Sequence, residues 1–212
     1  MPPPATPELA TLDIQGRVAR LTLNRPESRN ALSPDLLAAL HAAVDDLAAR
    51  AQLPATAPTV LALTGAGKAF CAGMDLKLVL GSPERAAALL ASLADLTLKI
   101  RALPCVSLAI VNGAAIGGGC GLSTVCDLSI THADAKLGFP EVDLGVCPAV
   151  VAPWLVAKIG HAAARRVLLS GGLMSGLDAH AAGIVTQVVP TLADLAPDAH
   201  VLGPVALELD PQ

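Results

Sequence analysis

A chain of 212 residues suits one domain, or one domain with a small appendage, and its 53% hydrophobic content is carried by aliphatic residues with almost no rings. A net charge of −4, with no basic run longer than the pair Arg165 and Arg166, excludes the clustered cations that a nucleic-acid backbone requires. No uninterrupted apolar run reaches the roughly 18 residues that span a membrane, and the opening MPPPATPE lacks the basic start and apolar stretch of a secretory leader, so a soluble protein is expected.

The five cysteines, Cys71, Cys105, Cys120, Cys126 and Cys147, are odd in number and form no C-x-x-C pair. Apolar or glycine-rich neighbours surround all of them, which predicts reduced, buried thiols in a cytoplasmic protein. The five histidines show no ligand spacing to one another or to a cysteine, so no metal site is expected.

In chain order, residues 1–9 form a Pro-rich tail expected to be disordered. Short strands follow at 10–14 and 18–23. Ser33 and Pro34 supply an N-cap and a first-turn proline, and Leu36, Leu37, Leu40, Val44 and Leu47 recur at helical spacing, which predicts a helix over 34–50. A buried strand at 59–63 leads into a Gly- and Ala-rich loop, 64–75. Ser82 and Pro83 open a second long helix with Leu89, Leu93, Leu96, Ile100 and Leu103 on one face. Pro104 ends it. A buried strand at 106–111 enters the glycine cluster 112–121, which runs into a short helix. A strand at 127–131, helices at 148–159 and 161–169, a capped helix beginning at Ser175 and Asp178, and a last strand at 184–189 complete the pattern. Helical and apolar strand signals alternate, which argues for an α/β fold. From Pro190 onward periodicity is lost, and four prolines predict an irregular, poorly packed end.

Two loops share one organisation: a buried strand runs into glycines at the start of a helix. Glycines let a ligand approach the backbone closely, and amides at a helix N-terminus point outward without intrahelical partners and favour negative charge. One amide from each loop would form a preorganised oxyanion hole. An isolated triplet such as Gly117, Gly118 and Gly119 more often just lets a helix pack closely on a strand. The triplet does not extend to G-x-G-x-x-G, which fails at Leu122, and neither a phosphate loop nor a G-x-S-x-G elbow is present.

Five segments, in order, resemble the crotonase (enoyl-CoA hydratase/isomerase) superfamily: 21–32 (LTLNRPESRNAL), 68–77 (KAFCAGMDLK), 111–121 (VNGAAIGGGCG), 139–145 (FPEVDLG), and 168–189 with Gly171 and Gly183. Their order and spacing overturn the bland reading of the glycines. The resemblance covers about residues 10–190 and implies a spiral of ββα turns with two roughly perpendicular sheets surrounded by helices. The family's C-terminal helical part is expected to be shortened here, with 191–212 an irregular tail. It also implies an acyl-CoA substrate, no cofactor beyond the CoA that the substrate carries, and a homotrimer or dimer of trimers.

Carried over residue by residue, the resemblance places the oxyanion amides on Met74 and Gly118 and a general acid/base on Glu141. It places CoA contacts on Arg29, Ala31, Ala72, Asp75, Leu76, Lys77 and Gly117, with capping of the following helix an equal alternative for Asp75. The sequence departs from the family at Gly121, where two-glutamate hydratases carry their other carboxylate. A single base suffices to move a proton between C2 and C4, as a Δ3-Δ2 enoyl-CoA isomerase requires. Residues 140–155 nevertheless resemble bacterial hydratases of the methylglutaconyl-CoA type, some of which also carry Gly at this position. Hydration of α,β-unsaturated acyl-CoA is therefore the expected activity, with the isomerase and a degenerate CoA-binding protein as rivals. Asp127, Cys120, Trp154 and Met174 are read as structural, and Asp143 as exposed rim.

Overall fold

The computed structural model describes residues 8–53, 57–79 and 81–195. The hairpin of β1 (Ala10–Gln15) and β2 (Val18–Leu23) is antiparallel. Its entry is pinned where the Asn24 side chain donates to the Glu8 carbonyl at 2.8 Å, so the tail expected over 1–9 ends before residue 8. Residues 1–7 lie outside the described residues.

Helix α1 (Pro34–Arg50) starts as its sequence dictates: Ser33 Oγ accepts the Leu36 N–H at 3.2 Å, and Leu36, Leu37, Leu40, Val44 and Leu47 are all buried. Strand β3 (Val60–Gly65) is followed by β4 (Ala69–Cys71), the short helix α2 (Leu76–Val79) and the long helix α3 (Pro83–Ala102). Strand β5 (Val106–Val111) continues into β6 (Ala114–Ile116) and α4 (Gly118–Val125). Then come β7 (Leu128–His132), β8 (Lys136–Gly138), a 3-10 turn at Pro140–Leu144, α5 (Ala152–Ile159), α6 (His161–Ser170), β9 (Met174–Ser175), α7 (Gly176–Ala181) and β10 (Gln187–Val189).

Among the described residues, β1-β2-β3-β5-β7-β10 form one sheet, parallel from β2 onward, and β4-β6-β8-β9 form a second, with β9 antiparallel to β8. Three times a strand of the first sheet passes into a strand of the second and then toward helix: β3 to β4, β5 to β6, and β7 to β8. This is the ββα turn that the resemblance implies. The fold is α/β with two mixed sheets.

Three readings need correction. The apolar run at 184–189 is strand only at its end. Ile184 and Val185 are buried, but their amides close α7 by donating to the Ala179 carbonyl at 2.9 and 3.3 Å. Helix α5 begins at residue 152 and not at 148, because Pro148 to Val151 make a turn whose Val151 N–H returns to the Pro148 carbonyl at 3.2 Å. The end after Pro190 begins packed: Leu195, on a 3-10 turn at Leu192–Leu195, is buried against Ala62, Leu108, Ile110 and Ile130. Residues 196–212 lie outside the described residues.

Asp127 is structural, as its sequence position suggests. It accepts the Ser107 N–H and hydroxyl at 2.8 and 2.7 Å, and the Arg101 guanidinium. Burial works against its charge, yet these bonds win and hold the carboxyl below its ordinary value. Cys71, Cys120 and Cys126 are buried, and burial pushes each thiol up to about 12, so they are inert packing groups. Cys147 breaks the expected pattern: it is exposed, on the loop after the Pro140–Leu144 turn.

Candidate active site

The two glycine loops meet backbone to backbone. Gly119, in the first turn of α4, lies so close to β4 that an added Cβ would be 2.2 Å from the Cys71 carbonyl oxygen. Gly73 has φ +87°, and a Cβ there would be 2.7 Å from the Ile116 carbonyl oxygen and 3.8 Å from the Gly118 nitrogen. Only glycine accommodates both that dihedral and that approach. The strip carrying Met74 is further held from its other side, where the Leu32 N–H donates to the Gly73 carbonyl at 2.8 Å and the Asp75 N–H to the Leu32 carbonyl at 3.0 Å. This pattern leaves the Met74 N–H unused. Gly118 opens α4, so its N–H has no intrahelical acceptor either. Among the described residues neither amide has a protein partner.

Both residues line one cavity of about 210 Å³, and Glu141 lines it with them. Glu141 is fixed by its setting. Phe139 is buried as an anchor, Pro140 starts the 3-10 turn, and the Glu141 carbonyl accepts the Val146 N–H at 2.9 Å. The neighbouring Asp143 is exposed, as its rim reading expects, and it also clamps the turn by accepting the Gly172 N–H at 2.7 Å. Glu141 Oε1 faces Gly117, whose φ is +53° and whose added Cβ would be 2.7 Å from that oxygen. Glu141 Oε2 is buried without a hydrogen-bond partner. Burial pushes this carboxyl above its ordinary range. A buried acceptor without a donor is uncommon in folded proteins and calls for an explanation, an ordered water or a catalytic role among them.

The geometry at Gly121 explains the missing second carboxylate. A Cβ there would be 2.1 Å from Val151 Cγ1 and 2.8 Å from Val151 Cβ, and Val151 is itself buried. Valine, branched at Cβ, cannot swing aside. Gly121→Ala is therefore expected to cost about 1–3 kcal/mol from overpacking, and adding Val151→Ala to recover most of that loss. Thermal unfolding of both single variants and the double checks this. Simple addition of the two losses would contradict it.

The residues expected along the CoA strip are distributed as follows. Arg29 is exposed and left-handed, with φ 52°. The Ala72 N–H donates to the Arg29 carbonyl at 3.0 Å and the Ala31 carbonyl accepts from Arg25 at 2.8 Å, and Ala72 but not Ala31 lines the cavity. Asp75 does not stand free. Its carboxylate pairs with the Arg25 guanidinium at 3.4 Å, because the 24–32 loop folds over this strip. Lys77 is exposed on α2. The Leu76 backbone opens α2, and its side chain lies outside the described residues.

Sequence reasoning missed the residues that assemble these loops. Asn30 is fully buried at φ 56°. Its Oδ1 accepts the Arg25 N–H at 2.8 Å, and its amide donates to the Ala66 and Ala69 carbonyls at 3.0 and 2.8 Å. Asn112 likewise clasps Gly65, accepting from its nitrogen at 3.2 Å and donating to its carbonyl at 2.8 Å. The one available signal was residue type, since asparagine tolerates left-handed backbone and satisfies loop amides.

The sequence matches the family described as Enoyl-CoA hydratase/isomerase over residues 13–202. The chain belongs to the enoyl-CoA hydratase/isomerase family. A relative from Escherichia coli, a 2,3-dehydroadipyl-CoA hydratase, is 36% identical over 178 residues, which are 84% of this chain and 68% of the relative. The crystal structure of an enoyl-CoA hydratase from Mycobacterium smegmatis is 35% identical and superposes with a TM-score of 0.84, covering 94% of this chain and 76% of that one. Pseudomonas aeruginosa AtuE, also 35% identical, superposes with a TM-score of 0.85, covering 95% and 77%. The family's ββα architecture is thus shared over nearly all of this chain. Among the described residues no group of three His, Cys, Asp or Glu could hold a metal ion, and no helix is long and apolar enough to cross a membrane.

Proposed function

We propose that this protein hydrates α,β-unsaturated acyl-CoA thioesters, with Glu141 as its acid/base and the Met74 and Gly118 amides as its oxyanion hole. The observation that supports this reading is the shared cavity: Met74 and Gly118, whose main-chain N–H groups have no protein partner among the described residues, and Glu141, whose Oε2 is buried without one, line the same space. The thioester oxygen sits at the two amides, which strengthen their bonds as negative charge develops on it. Glu141 removes a proton from water as the oxygen adds to C3, and returns a proton to C2 as the enolate collapses. One carboxylate suffices because the proton it takes is the proton it gives. The CoA stem follows Ala31 and the strip from Ala72 to Lys77, with Asp75 holding that strip through Arg25, and Leu76 and Gly117 contributing backbone. Arg29 and Lys77 are the exposed cations offered to CoA phosphates. The protein needs no cofactor, and it works in the cytoplasm as a homotrimer or dimer of trimers.

The single carboxylate also fits a Δ3-Δ2 enoyl-CoA isomerase, and Val151 against Gly121 is the observation that favours it. Wild type and Glu141→Ala assayed with crotonyl-CoA and with 3-hexenoyl-CoA separate the readings. The hydratase reading expects hydration of crotonyl-CoA by the wild type and its loss in the variant. Isomerisation alone would name the isomerase. Neither reaction, with CoA thioesters still bound, would leave a CoA-binding protein.

A further inference from the structure

The walls of the 210 Å³ cavity carry information beyond the reaction type. Leu90, Leu93, Ile116, Val146, Val150 and Val151 are among the apolar residues that line it, and Glu141 and Cys147 bring the polar side chains. Among the described residues no Lys, Arg or His lines this space. Arg165 and His161 line a separate groove, which shares only residues 146–148 with this space. An acyl chain entering beside Glu141 therefore meets hydrocarbon and one acidic group.

We propose that this cavity accepts uncharged enoyl chains and rejects chains that carry a second carboxylate. An apolar cavity of about 150 Å³ holds a six-carbon ring, so one of about 210 Å³ has room for a six-carbon chain. Charge carries the proposal. A carboxylate placed there would lose its water without gaining a cation, and it would share the space with Glu141. The proposal rests on the enoyl-CoA reading of the same site, and it runs against the methylglutaconyl-type likeness of residues 140–155. It also separates this chain from the Escherichia coli relative named for 2,3-dehydroadipyl-CoA.

Two thioesters of equal chain length isolate the charge: trans-2-hexenoyl-CoA and 2,3-dehydroadipyl-CoA, which differ only in a terminal carboxylate. Hydration by the wild type, read as kcat/KM, is expected to favour hexenoyl-CoA by at least about 100-fold, the scale on which a polar mismatch in a buried site is rejected. Titration of both thioesters into Glu141→Gln, where no turnover intervenes, is expected to favour hexenoyl-CoA as well. A ratio within tenfold in both measurements, a preference for the dicarboxylic chain, or failure of hexenoyl-CoA to bind would overturn the proposal. Absence of hydration together with discriminating binding would instead sink the hydratase reading and leave the selectivity standing.

Discussion

Glu141→Gln is expected to lower kcat/KM for enoyl-CoA hydration by roughly 10²–10⁴-fold while making the folded protein more stable at neutral pH. Both effects have one cause. The carboxyl lies in an apolar cavity with Oε2 buried and unpartnered, and burial raises its folded pKa above the ordinary value of 4.5. The native state therefore holds this proton more tightly than the unfolded chain does. The sign follows: below pH 4.5 both states carry a neutral carboxyl and the substitution changes little. As pH rises through the folded pKa, the native state must hold a poorly solvated charge, and stability falls. Glutamine keeps the shape without the charge, so its advantage should appear on the alkaline side and vanish in acid. Thermal unfolding of both proteins between pH 4 and 8 checks this. A variant less stable than wild type at pH 8 would show that the carboxylate is held by partners. The acid limb of kcat/KM should correspondingly lie above the ordinary glutamate value, as expected of a base that must be ionised to act.

Gly119→Ala should damage activity from a residue that touches no substrate. Its new Cβ would meet the Cys71 carbonyl oxygen at 2.2 Å and carbonyl carbon at 2.8 Å, and β4 backbone has no rotamer with which to yield. Relief requires α4 and β4 to separate. That motion carries Gly118 away from the strip that bears Met74 and so parts the two N–H groups of the proposed oxyanion hole. Loss of one oxyanion donor costs roughly 10²–10³-fold in kcat, and overpacking of this kind costs about 1–3 kcal/mol of stability. Steady-state kinetics with far-UV circular dichroism separates the two losses. A folded variant with wild-type kcat would mean that the spacing of the loops is unimportant. Gly121→Ala makes a useful contrast, because its obstacle is the Val151 side chain and a second substitution can remove it.

How far the fold was legible in the sequence depended on element length. Strands 18–23 and 106–111 and the helix at 34–50 coincide with β2, β5 and α1, because each is long enough to show its period and each is bounded by Ser, Pro or Gly. The second sheet showed no such signal. Its strands β4, β6, β8 and β9 are two or three residues long, too short for alternation to register, and two of them lie in segments read as glycine-rich loops. Only the family resemblance implied that sheet. The candidate site divides in the same way. Glu141, Met74 and Gly118, which line one cavity, each stand in a local motif that can be read from the sequence. The Arg25 to Asp75 pair, the Asn30 clasp on Ala66 and Ala69, and Val151 against Gly121 join positions 30 to 50 residues apart, and no local spacing predicts which side chains will meet.

The most direct test is a crystal structure of the wild-type protein with butyryl-CoA, whose saturated chain binds without reacting. The thioester oxygen is expected within about 2.7–3.1 Å of both the Met74 and Gly118 nitrogens, with the Glu141 carboxyl over C2 and the alkyl chain in the apolar cavity. A thioester oxygen bonded to one of those nitrogens alone, or turned away from Glu141, would contradict the account.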